Sequence, residues 1–211
     1  MKRLRNVLAM LLLAAMMVTT CACGQQADPK EGVDALMTMM TQGDVTKYCA
    51  FTGESEEEAQ KDYQEMLDSI KSSLASFDVS EETKSKVTDA FAAVLKKAKY
   101  TVNDAEKTDD GYDVKVDIEP ITGLYEKMTE KMEKELQSAY TSGEVTQDNM
   151  YDWVFDKMAD WMTEDLDNLT YGEPQSVTVH ITKDGNQLKI EDEYNTGMKI
   201  GQLLIDQSGI S

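Results

Sequence analysis

Between Tyr112 and Glu119 the chain alternates without a break. Tyr112, Val114, Val116 and Ile118 fall on one side, and Asp113, Lys115, Asp117 and Glu119 on the other. A period of two places successive side chains on opposite faces of a strand. This segment therefore predicts a half-buried β-strand, which Pro120 ends because it cannot donate to a ladder. The same pattern returns at Val177, Val179 and Ile181, set against Thr178, His180 and Thr182. Asp184-Gly185 then gives a two-residue hairpin signal, which predicts that Ile181 faces Leu188 and Val179 faces Ile190. Tyr100-Thr101-Val102 starts a matching strand before Asp110-Gly111. The two hairpins share an Asp-Gly-x-x-apolar-Lys-apolar-acidic run at 110–117 and 184–191. An internal duplication of an ααββ unit and simple reuse of one turn chemistry both account for it.

The remaining segments carry the helical period. Val33, Leu36, Met37 and Met40 form a stripe that Gly43-Asp44 stops. A second helix is expected over 55–77, with Ser55 and Glu58 as a capping box. A third is expected over 80–99, with Val87, Phe91, Val94 and Leu95 on one face. Leu124, Met128, Met132 and Leu136 mark a fourth. Met150, Trp153, Val154, Met158, Trp161 and Met162 mark a fifth, for which Thr146 or Asp148 is the expected cap. Met198, Ile200, Leu203 and Leu204 mark a short last helix over 195–206. Runs of helices set against hairpins predict an α+β domain over 32–211. In it, several amphipathic helices pack on one face of a four-stranded antiparallel sheet made of two hairpins.

The order of elements, and the segment Val33-Asp34-Ala35-Leu36 through Gly43-Asp44, resemble the NTF2-like extracytoplasmic lipoprotein domains of Firmicutes. There a helix ending in Gly-Asp precedes a curved sheet. The resemblance implies a cone-shaped sheet with a ligand pocket. This chain departs from the pattern in having two long helices between its hairpins and no tryptophan in its last strand.

Residues 1–22 stand outside that domain. Lys2, Arg3 and Arg5 precede an uncharged apolar run from Val7 to Val18, and small residues lead to Cys21 and Cys23. This is the order of a secretory signal peptide. The run of about 12 residues is shorter than the roughly 20 a membrane-spanning helix needs. Ala22-Cys23-Gly24 resembles the lipobox of bacterial lipoproteins, with Thr20-Cys21 as the alternative position. The resemblance implies cleavage, diacylation of Cys23 and a polar tether over 23–31. Two acyl chains give stable anchoring, so the expected place is the outer face of a cell membrane. Cys49 is read as a small, partly buried thiol. It could pair with Cys23 only if Cys21 carries the lipid.

Charge and missing motifs exclude several functions. Removing the three basic residues of 1–22 leaves 18 basic against 40 acidic residues, a net charge of −22. Phosphate backbones repel such a chain, so no nucleic-acid partner is expected. One histidine, His180, cannot build a two-histidine metal site. It sits on the polar side of its strand and reads as a surface residue. No nucleotide-binding glycine loop, CxxC pair or serine elbow occurs. No cofactor and no metal are therefore expected. The acidic groups Glu54 with Glu56-Glu57-Glu58, Asp109-Asp110, Asp165 with Asp167, and Glu191-Asp192-Glu193 read as solvated helix ends and turns. Trp153 and Trp161 lie eight residues apart on one helix. They are either core residues or the wall of a binding groove. The expected function is a non-enzymatic envelope lipoprotein that binds a small ligand or a protein partner. The alternative is a hydrolase of glycan or peptide working through two carboxylates.

Overall fold

The computed structural model describes residues 28–164, 166–184 and 187–206. The signal segment, Cys21, Cys23 and the tether up to residue 27 lie outside the described residues, as does Gly185.

The N-terminal half is helical. Helix α1 (Pro29–Gln42) opens on Asp28, whose carboxylate accepts from Lys30 N at 2.9 Å, with Pro29 in the first turn. Gly43 closes it at φ 71°, a left-handed conformation that glycine adopts without strain. Helix α2 (Thr46–Thr52) was not foreseen. Its seven residues are too few to show a period, yet they carry the fully buried Tyr48. Helix α3 (Glu56–Ser73) starts on the expected capping box of Ser55 and Glu58 and ends in a 3-10 turn, Leu74–Ser76. Helix α4 (Glu81–Leu95) is shorter than its apolar pattern. Its Ser80 cap accepts from Thr83 N at 3.2 Å.

Strands β1 (Lys99–Lys107) and β2 (Gly111–Glu119) then form the first hairpin. A two-residue β3 (Ile121–Thr122) leads into helix α5 (Leu124–Ser142), and Gly143 at φ 79° turns the chain toward helix α6 (Met150–Glu164). Asn149, rather than Thr146 or Asp148, immediately precedes α6. Its side-chain oxygen accepts from Thr146 N at 2.7 Å and its amide donates to Glu144 O at 3.0 Å, which fixes the turn. Strand β4 (Thr170–Tyr171), strand β5 (Gln175–Asp184), strand β6 (Gln187–Ile190) and helix α7 (Glu193–Leu204) complete the order.

The fold is α+β, with a four-stranded antiparallel sheet in the order β1-β2-β5-β6. Val114, Val116, Ile118, Val177, Val179 and Ile181 are all buried, whereas Lys115, Thr178 and His180 are exposed. One face of the sheet is thus covered, as the alternation requires. Strands β3 and β4 make a separate pair, to which Ile205 adds a parallel bridge at Ile121.

The second hairpin differs in register. Ile181 pairs with Ile190 and Asp184 with Gln187, rather than Ile181 with Leu188 and Val179 with Ile190. The shift is two residues along the partner strand. A shift of two keeps every side chain on its own face, so the apolar pattern could not have distinguished the two registers. In the first hairpin Lys107 pairs with Tyr112, leaving four residues between the partners where the second leaves two. The shared Asp-Gly sequence therefore occurs in hairpins whose partner strands are separated by different numbers of residues.

Candidate functional site

Two places bring chemistry-bearing side chains together. The first lies between α5 and α6. A hollow of about 220 Å³ is lined by Leu124, Met128, Trp161, Met162 and Leu169, with Lys127, Lys131 and Lys134 on its rim beside Glu130. The helical repeat explains the rim, since positions 127, 131 and 134 fall on one side of α5. Lys131 pairs with Glu164 of α6. Lys127 and Lys134 have no acidic partner within ion-pair distance among the described residues. In a chain with 40 acidic residues, the hollow thus sets two lysines outside any ion pair, with Glu130 between them, over an apolar floor. The volume falls below the 300–1,000 Å³ or so typical of sites that enclose small molecules. The geometry suits a side chain or an acyl segment entering from outside.

Trp161 is 8% exposed and forms part of the floor. Trp153 does not line this hollow. It lies about 12 Å away along the helix axis, where its indole N–H donates to Glu144 Oε1 at 2.9 Å. The Lys157 ammonium stands 5.8 Å from its ring centroid. The two tryptophans therefore occupy separate surroundings.

The second place is a carboxyl cluster at the junction of α2, α3 and α7. Tyr48 donates its O–H to Glu193 Oε1 at 2.9 Å. Glu54 is only 9% exposed, and its Oε2 is buried without a hydrogen-bond partner, as is Oδ2 of Asp62. Burial, with Glu54 and Asp62 acting on it, pushes Glu193 up to about 7, against the opposing Tyr48 hydrogen bond. Glu54 rises through burial and then the fields of Asp62 and Glu58. Asp62 rises chiefly through burial, with Glu65 and Glu58 adding and Lys61 opposing.

The reading of these acidic groups as solvated ends needs correction for Glu54 and Glu193. Glu54 lies in the short connection after α2, and Glu193 is the first residue of α7, where Tyr48 on the unforeseen α2 engages it. Among the described residues, no group of three His, Cys, Asp or Glu side chains is arranged to hold a metal ion.

His180 is exposed as expected and meets Asp113 Oδ1 at 2.6 Å across the β2–β5 pair. Cys49 is half-buried, and its thiol is pushed up by burial, with Glu56 and Glu54 adding to the effect. That is the reverse of what a nucleophilic cysteine needs.

No protein-family model matches the chain, and no curated protein matches it. Among solved structures it is similar to a Bacillus subtilis protein, YcdA, inferred to be a lipoprotein. The TM-score is 0.64 at 12% identity, over 86% of this chain and 57% of that one. The chain thus spans little more than half the length of that protein, and the likeness shows a shared fold. Among the described residues, no helix is long and apolar enough to cross a membrane.

Proposed function

We propose that this protein is a lipid-anchored, extracytoplasmic envelope lipoprotein without catalytic activity. It engages a protein partner through the lysine-rimmed hollow between α5 and α6. The observation that carries this reading is that Trp161 lines one hollow with Lys127 and Lys134, neither of which is in an ion pair among the described residues. An apolar anchor beside two cations fits a partner element that presents an apolar side chain flanked by carboxylates. The small, outward-facing volume favours such an element over an enclosed small molecule.

The lipobox resemblance at Cys23, the likeness in fold to a protein inferred to be a lipoprotein and the lack of a spanning helix among the described residues support the anchor. Gly43 closing α1 agrees with the helix end that the NTF2-like resemblance implies.

A specific observation favours the hydrolase alternative as a second reading. Glu193 is acted on by Glu54 and Asp62, each of which has a buried oxygen with no hydrogen-bond partner, and burial pushes the Glu193 carboxyl up to about 7, the direction a general acid needs. Against it, Glu193 is engaged by Tyr48, and the unpartnered oxygens of Glu54 and Asp62 are buried.

Two measurements test the proposal. Radiolabelled palmitate enters the wild type and Cys21→Ala but not Cys23→Ala; labelling of Cys23→Ala that disappears in Cys21→Ala moves the anchor to Cys21. On native gels of detergent-solubilised membranes, the wild type migrates as a complex that Lys127→Glu with Lys134→Glu dissolves. Equal migration of wild type and double variant removes the hollow as the interface.

A further inference from the structure

The carboxyl cluster shares no residue with the hollow between α5 and α6, and three separate elements converge on it. Helix α2 supplies Tyr48. The turn after it supplies Glu54, and α3 supplies Glu58 and Asp62. Helix α7 supplies Glu193 as its first residue. Tyr48 and Glu193 are 145 residues apart in sequence. The charges acting on Glu193 are the carboxylates Glu54 and Asp62; on Asp62, Glu65 and Glu58 of the same helix act in one direction and Lys61 in the other.

The oxygens Glu54 Oε2 and Asp62 Oδ2 have no donor. A buried, unpaired carboxylate oxygen is costly. Adding a proton removes the charge and turns an acceptor into a donor. Protons can therefore act as the counter-ions here.

The chain entering α7 is also strained. Asp192 sits at φ 47°, a left-handed conformation that a non-glycine residue adopts at a cost. Asn195 Nδ2 holds it by donating to Asp192 Oδ2 at 2.6 Å. Beyond the entry, α7 buries Ile200 and Leu204, and Asp206 N donates to Ile121 O at 2.9 Å. The helix is thus pinned at its far end, while in its first turn Asn195 and Thr196 bond locally to Asp192 and Glu191 and Glu193 reaches across to Tyr48.

We propose that Glu54, Asp62 and Glu193 form a proton-operated latch that seats the start of α7 on α2 and α3. The latch is closed while the cluster keeps its protons and loosens as they leave. Opening turns α7 about its pinned end and uncovers apolar side chains of β2 and β5. The latch is independent of the partner-binding hollow, so either can fail without the other.

Hydrogen exchange of the full chain at pH 5.5 and pH 8.0, corrected for the intrinsic pH dependence, tests it. Amides 196–204 of the wild type should exchange at least about tenfold faster at the higher pH once opening is permitted. Glu193→Gln should reduce that ratio below about twofold, because glutamine keeps an acceptor for Tyr48 and carries no charge. Should Glu193→Gln fail to fold, Asp62→Asn reads the same ratio. His180→Gln should behave as wild type, since His180 lies on the opposite face of the sheet. Equal wild-type protection at both pH values overturns the latch, and so does a tenfold ratio surviving in the neutral variants.

Discussion

Tyr48 donates its phenolic O–H to Glu193 Oε1 at 2.9 Å, so the second helix and the last one are joined at a buried polar contact. Tyr48 is fully buried, and desolvation followed by the neighbouring Glu193 pushes its hydroxyl well above the ordinary tyrosine range. The hydroxyl is thus a fixed donor throughout the accessible pH range.

That contact makes stability depend on pH. Glu193 is raised from 4.5 to about 7 by burial, with Glu54 and Asp62 adding to it. A carboxyl raised on folding leaves the fold unpenalised below its unfolded value and costs stability as pH climbs through the folded value. Urea unfolding should therefore show stability falling between about pH 4.5 and pH 7. Glu193→Gln should raise stability at pH 8 by on the order of 2 kcal/mol and change it little at pH 4.5. A gain of equal size at both pH values contradicts the assignment.

Tyr48→Phe removes the donor and leaves Glu193 Oε1 without it. The expected loss is about 1 kcal/mol from the hydrogen bond. A double-mutant cycle with Glu193→Gln should yield a coupling energy above about 0.5 kcal/mol. Strict additivity would show that the contact is not made in solution.

Gly111 begins β2 and pairs with Thr182 of β5. A Cβ at this position would lie 1.8 Å from the carbonyl oxygen of Ile181, which is backbone and cannot swing aside. Gly111→Ala should therefore force the two central strands apart and cost about 3 kcal/mol in denaturant unfolding. Gly143→Ala meets nothing within 4 Å and has only its φ of 79° to resist it. It should cost less than Gly111→Ala, and the reverse order would contradict the β2–β5 register.

Trp161 and Trp153 should respond differently to truncation. Trp161 is nearly buried in the floor of the hollow, so Trp161→Ala should destabilise by about 3 kcal/mol or more. Trp153 is half-buried and held by Glu144, so Trp153→Ala should cost visibly less when both variants are compared by urea unfolding. Equal costs would place both rings in one core.

The sequence made most of the sheet legible and little of the carboxyl cluster. The alternation at Val114-Val116-Ile118 and Val177-Val179-Ile181 identified the two central strands, because burial on one face writes a period of two into the residues. The same signal is blind to a shift of two, which is why the Ile181–Ile190 pair was missed. The capping box at Ser55 and Glu58 was visible because both partners are local. Tyr48, Glu54, Asp62 and Glu193 meet only through tertiary packing. No spacing encodes that meeting, and acidic composition alone points to solvent. On α5, Lys127, Lys131 and Lys134 share a helical spacing that sequence analysis did not single out. Their meeting with Trp161 depends on how α6 turns back after Gly143.

The claim that the α5–α6 hollow is the binding surface is tested most directly by a photo-crosslinking residue placed at Lys134 of the full chain in intact cells. A second crosslinker at the exposed His180, on the far face of the sheet, serves as the reference. The account predicts one discrete adduct from position 134 that disappears when Lys127→Glu is added, and none from position 180. Adducts of equal yield from both positions, or an adduct at 134 unaffected by Lys127→Glu, would contradict it.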